Sequence, residues 1–203
     1  MISTGFKEQD VYFVPISALV GENVCDKATD ERLTAWYGTE SNTLIDVLDG
    51  LRLPARSFRR PLRVTISDFM QKNQGPLIGD AVAAKVESGV IIERKELLLM
   101  PHNVVVGVKG LTRSDETVTH ALAGTIIEAG LRLPSDFEVN SLKRGNVLCD
   151  PEHPIKLITT FIARVVIYDL GDKGALCRGE PVVVHSYSSK CAGRLQKFIS
   201  VIN

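Results

Sequence analysis

Of the 203 residues 44% are apolar and 24% charged, and 24 basic side chains balance 24 acidic ones to a formal net charge of zero. Such a composition excludes a disordered chain. A chain of this length buries roughly 70% of its extended surface, enough for a core without disulfide or metal staples. No run of about 18 apolar residues occurs, which excludes a membrane-spanning helix. Residues 1–10 lack the basic and apolar regions of a signal peptide, so the sequence predicts a cytoplasmic protein with no membrane partner. The cysteines, Cys25, Cys149, Cys177 and Cys191, are widely spaced and read as reduced thiols.

The zero charge is a sum of unequal parts. Residues 1–50 carry three basic and nine acidic side chains, whereas residues 51–110 carry ten and five. The step near residue 50 marks a predicted domain boundary. Before it, residues 10–16 form a run of β-formers read as a buried strand, followed by a loop at 17–23 and a polar segment at 26–41 that holds the single tryptophan, Trp36. Thr43 then caps a predicted amphipathic helix, with Leu44, Val47, Leu48 and Leu51 at helical spacing and Gly50 as its stop.

Residues 51–61 read as a linker, and 51–63 hold Arg52, Arg56, Arg59, Arg60 and Arg63 with no acid. A stripe of this kind either sits on phosphates or is a solvated linker facing the acidic segment. From Pro61 the hydrophobic period changes to 2. Residues 62–67, 81–86, 90–100, 103–111, 125–133 and 147–149 are predicted strands, with turns at 73–76, 88–89, 101–103 and 143–146. Short strands at regular spacing predict a β-barrel over 62–151. A second β series follows at 161–169, 181–187 and 194–202. Three strands do not close a barrel, so 152–203 reads as an incomplete one whose open edges predict self-association through residues 161–202.

The ordered motifs resemble translational GTPases of the elongation factor 1-alpha superfamily. Residues 5–24 resemble the last strand of their GTP-binding domain and its guanine loop, and Trp36-Tyr37 with residues 43–48 resemble the final helix and its approach. Residues 60–68 resemble the first strand of the second-domain barrel. Residues 85–90, 98–101, 121–124 and 144–151 resemble that barrel's turns and strands, and 161–167, 179–185 and 194–202 the opening strands of the third domain. Residues 154–156, 185–187 and 197–203 look most like the HBS-type ribosome-rescue GTPase, the partner of Pelota; residues 148–151 are equally similar to the release-factor GTPase. The resemblance implies a mainly β fold: an α/β tail of a GTP-binding domain over 1–50, a translation-factor barrel, and part of a second barrel. One departure is local: the family's Gly-Asp turn before its Leu-x-x-x-Pro strand is Arg94-Lys95 here, which removes a residue free to take positive φ.

A GTPase needs a G-x-x-x-x-G-K-[S/T] loop to cradle phosphates, a Mg²⁺-binding aspartate and an Asn-Lys-x-Asp base reader. None occurs in the sequence. The resemblance implies GTP with Mg²⁺ for the parent protein and no cofactor on this chain. It also implies that Ala18 presents its N–H to guanine, with Ser17 and Leu19 in the same loop. Phosphate or ribosome contacts are expected of Arg56, Arg59, Arg60, Arg63 and Lys72. The implied partners are the small ribosomal subunit and a Pelota-like or release-factor-like decoding protein, or tRNA. Elongation factor 1-alpha proper, delivering aminoacyl-tRNA, is an alternative. So are a stand-alone β-barrel enzyme and the GTPase subunit of a sulfate-activating enzyme. No catalytic or metal site is predicted: the four histidines form no ligand motif, and the Cys149–His153 spacing with Asp150 and Glu152 falls in a proline-bounded linker.

Overall fold

In the computed structural model residues 6–72, 77–168 and 174–200 are described. The chain divides into two units, Met1–Pro54 with Arg164–Asp169, and Ala55–Ala163 with Leu170–Asn203.

The first unit is held by caps more than by core. Helix α1, Glu31–Tyr37, begins at Asp30, whose carboxylate accepts the Arg32 N–H. Helix α2, Leu44–Gly50, begins at Thr43 with a full capping box: the Thr43 hydroxyl accepts the Asp46 N–H while the Asp46 carboxylate accepts the Thr43 N–H. Thr43 was legible as that cap, but Gly50 lies inside the last turn and Leu51 is the C-cap. Helix α1 falls in a segment read only as polar. Residues 10–16 are not a strand, and Tyr12 and Phe13 are largely exposed. A strand exists only against a neighbour, and no described element pairs with these residues.

The second unit is the barrel. Strand β1 (Arg63–Lys72) pairs antiparallel with β2 (Gly79–Ser88). Then follow β3 (Val90–Ile92), β4 (Glu96–Met100), β5 (Val104–Arg113), β6 (Glu116–Val118), β7 (His120–Leu122), β8 (Ile126–Arg132) and β9 (Val147–Cys149). The sheet order is β4-β9-β1-β2-β8-β5, and β5 pairs back with β4, so the six strands close. Closure leaves neither end strand of the six-strand ring without a neighbour. Inward alternation fills the interior with Val64, Ile66, Val82, Leu99, Ile127 and Leu148, each at most 1% exposed. Strand β6 extends β5 beyond the ring through a hairpin whose Ser114 and Asp115 both take positive φ, and β3 pairs with β7.

The predicted strand over 90–100 is two strands. Arg94 turns the chain between them at φ 64, so the position does take the left-handed conformation although no glycine is there. A non-glycine residue in that region costs about 1–2 kcal/mol, against about 0.5–1 kcal/mol of extra unfolded-state entropy for glycine. Arg94→Gly is therefore expected to raise the melting temperature slightly, by differential scanning calorimetry; a lower one would show that the arginine side chain stabilises the turn.

Downstream, the described residues form one hairpin, β10 (Pro181–Ser186) with β11 (Ser189–Arg194). This corrects two predicted strands. Residues 161–168 have no strand partner and are exposed; Asp169 lies outside the described residues. Of the strand read over 194–202, residues 195–200 are not in a strand and 201–202 lie outside the described residues; β11 forms earlier, at Ser189–Arg194, because Tyr187 at φ 49 turns the chain tightly enough to pair it at once. The turn read at 73–76 lies outside the described residues.

Candidate guanine loop and arginine stripe

Ser17 and Glu22 exchange backbone hydrogen bonds, N–H to O at 3.1 Å in each direction, and close the loop 18–21. Ala18, Leu19 and Val20 stand at its exposed tip, Leu19 at 95% exposure. The Ala18 N–H has no partner among the described residues, whereas Ser17 uses its own N–H and carbonyl to brace the loop. Beneath the tip lies Asn23, 1% exposed and at φ 57. Its Nδ2 donates to the Pro15 carbonyl at 2.9 Å, and its own carbonyl accepts the Leu44 N–H at the start of α2. Its Oδ1 is buried with no protein partner among the described residues. Sequence reasoning passed over Asn23; its one signal was a residue tolerant of positive φ two positions after Gly21.

The Glu22 carboxylate accepts the N–H groups of Thr29 and Asp30, the latter at 2.7 Å, and so ties the loop to the start of α1. Those two backbone donors, Asp30 first, hold its carboxyl below the ordinary range. The Arg32 side chain and then its N–H draw Asp30 down to about 2. A carboxyl depressed in the folded state stabilises above its unfolded pKa and stops doing so as pH falls through its folded one. The loop and α1 are thus expected to hold above about pH 4 and to loosen between about pH 4 and 2. Trp36 fluorescence checks this. A transition above pH 5 would contradict it.

The arginines divide between the units. Arg52 belongs to the first, and Arg56, Arg59, Arg60 and Arg63 to the second. Arg56, Arg59 and Arg60 are exposed and make no ion pair among the described residues. Arg56 lies along Gly124, its Nε 3.5 Å from where a Cβ would stand, and Arg59 sits 5.9 Å from the Phe58 ring centroid. Arg63 is half-buried in β1 and donates to the Leu62 carbonyl at 2.7 Å, so its guanidinium is partly engaged. Lys72 ends β1, and its side chain lies outside the described residues. The predicted linker is not free chain: Gly89 donates its N–H to the Ser57 carbonyl at 2.9 Å, and the barrel carries this segment on its surface.

Asp150, Glu152 and His153 bring their ligand atoms within 4.8 Å of one another. Asp150 is already bound to Lys95 at 2.9 Å, and that ion pair lowers its pKa. Cys149 is buried with its Sγ on the Leu98 carbonyl, so it faces away from a ligand role.

The closed barrel with its tail and loop can be compared with known proteins. No family model matches the chain. It is 33% identical to Protein HBS1 of Drosophila melanogaster over 91% of its own length. The chain is homologous to the translational GTPases of the elongation factor 1-alpha superfamily. It is also 32% identical to the elongation factor 1 alpha-like protein of Schizosaccharomyces pombe over 89% of its length. Its fold superposes with TM-score 0.61 on Sup35 solved in complex with GMPPNP, at 26% identity over 90% of this chain. The chain spans 26% of the fly protein, 29% of the yeast one and 42% of the Sup35 chain. No helix among the described residues is long and apolar enough to cross a membrane.

Proposed function

We propose that this chain serves protein synthesis in the cytoplasm as the ribosome- and partner-binding part of a GTPase of the HBS type, acting in ribosome rescue. The observation that carries the reading is the ordered homology to that superfamily through the closed barrel. The release-factor type is the second reading, supported by the likeness to Sup35.

In this reading Ser17, Ala18 and Leu19 form the edge that meets guanine in the parent protein, the unpartnered Ala18 N–H being the donor. A single such bond contributes on the order of 1 kcal/mol, so the chain alone is expected not to hold GTP. Calorimetry with GTP and GDP checks this; micromolar affinity would refute it. Arg56, Arg59 and Arg60, with Arg63 at the start of β1 and Lys72 at its far end, would meet phosphates of the small subunit or of a tRNA-like partner, without base reading. Filter binding of the full chain to purified small ribosomal subunits tests that function. Changing Arg56, Arg59 and Arg60 to Gln is expected to weaken binding and to reduce its salt dependence. Equal binding by the variant would remove the stripe from the reading. The hairpin β10–β11, alone in its sheet among the described residues, and the exposed Phe161 and Ile162 support self-association through residues 161–202; sedimentation against a chain ending at Asp150 decides it.

A further inference from the structure

A groove of about 490 Å³ opens on the barrel wall, and none of the arginines of the stripe lines it. Three cationic residues are among its lining residues, from separate parts of the fold: Arg94 from the turn after β3, Lys109 from β5, whose Nζ reaches to 3.4 Å from where a Cβ on Gly79 would stand, and Arg132 from the end of β8. Glu96 is the single carboxylate among its lining residues. The backbone sets this up. The register of β5 on β8 slips between Val108 and Gly110, which makes Lys109 the extra residue of a bulge, and a bulge re-aims the side chain it carries. Gly107 stands opposite Arg132 with no side chain, and a Cβ there would meet the Arg132 Cβ at 3.5 Å. The floor is apolar: Val105, 48% exposed, with Leu133 and Pro134.

Lys109 and Arg132 make no ion pair among the described residues, and Arg94 meets Glu93 only at 3.5 Å with its side chain 87% exposed. Three cations against one carboxylate call for an anionic ligand. The groove has no aromatic side chain on which a base would stack, which disfavours a nucleic acid strand. Strand β5 pairs with β4 over 104–107 and with β8 over 107–112, so Gly107, at the groove, is paired on both sides. The cations and the apolar floor suit a ligand with carboxylates at the rim and an apolar group between them. We propose that this groove binds an acidic peptide segment of a partner protein that inserts one apolar side chain. The volume falls within the usual range of roughly 300–1,000 Å³ for binding pockets. The inference stands apart from the ribosome reading, since it uses none of the same side chains.

The test is selection of a random dodecapeptide phage library on the full chain, followed by fluorescence polarisation with the enriched peptides. Enrichment of Asp and Glu around an apolar residue is expected. Lys109→Glu with Arg132→Glu should weaken the selected peptides at least about tenfold. Lys109→Gln with Arg132→Gln should weaken them less. Both residues are exposed, and circular dichroism checks that each variant folds. No enrichment, enrichment of basic or neutral sequences, or peptides that bind the charge-reversed variant as well as the parent would overturn the proposal. So would an oligouridylate that displaces the peptides at lower concentration than an unlabelled copy of the peptide, because the groove would then be a phosphate site.

Discussion

Replacing Ile66 by Ala is expected to lower the unfolding free energy by about 2–5 kcal/mol. Ile66 is fully buried in β1, packed within the cluster that includes Val64, Val82, Leu99 and Leu148. A closed barrel leaves the surrounding strands little freedom to collapse into the cavity, because each is hydrogen-bonded on both sides. Its N–H also donates to the Asn146 carbonyl at 2.9 Å, and its carbonyl accepts the Gly145 N–H at 2.8 Å, so the backbone cannot slide to refill the space. Urea unfolding followed by circular dichroism measures the loss. Ile126→Ala, at a position 69% exposed, is the control and should fall within about 0.5 kcal/mol of the parent. Equal effects at the two positions would mean that the barrel interior is not where the alternation puts it.

Gly89→Ala is expected to destabilise the barrel by several kcal/mol, about the sum of a conformational and a steric cost. Gly89 takes φ +75, and a Cβ there would lie 2.7 Å from the Leu62 Cα and 2.9 Å from both the Arg60 carbonyl oxygen and the Leu62 nitrogen. All three obstacles are backbone, which cannot rotate away as a side chain does. The left-handed conformation alone costs about 1–2 kcal/mol, and overpacking adds about 1–3 kcal/mol. The substitution also pushes on the segment that carries Arg56, Arg59 and Arg60, through the Gly89 N–H bond to Ser57. A lowered urea midpoint together with weaker ribosomal-subunit binding is the expected pair of results. Full stability in the alanine variant would contradict the close approach. Gly21→Ala has nothing within 4 Å and tests the conformational term by itself.

The barrel was legible because its signal is local and repeated. Alternation over 62–67 and 81–86 specifies which face is inward, and a one-residue slip would expose every inward side chain. Thr43 was legible for a similar reason, since a capping box lies within four residues of sequence. What the sequence hid is non-local or conformational. Arg94 at φ 64 splits a predicted strand in two; the resemblance alone pointed to a turn there, since arginine is not a residue that favours positive φ. Residues 10–16 and 161–168 have strand composition without a paired neighbour, and composition does not supply the hydrogen bonds. The loop residues 17–19 were placed by resemblance, whereas Asn23 and Glu22, which hold the loop from below, emerged from burial and hydrogen bonding. Lys109 and Arg132 lie 23 positions apart in the sequence and meet one groove only through the β5–β8 register.

The central claim, that this chain is a ribosome-binding part of a translational GTPase, is tested most directly by electron cryomicroscopy of the full chain bound to small ribosomal subunits. The account expects density for the six-strand barrel with residues 56–60 against ribosomal RNA phosphates, and loss of that density with the Arg56, Arg59 and Arg60 variant. Particles without barrel density at saturating chain, or a barrel docked with residues 56–60 turned to solvent, would contradict it.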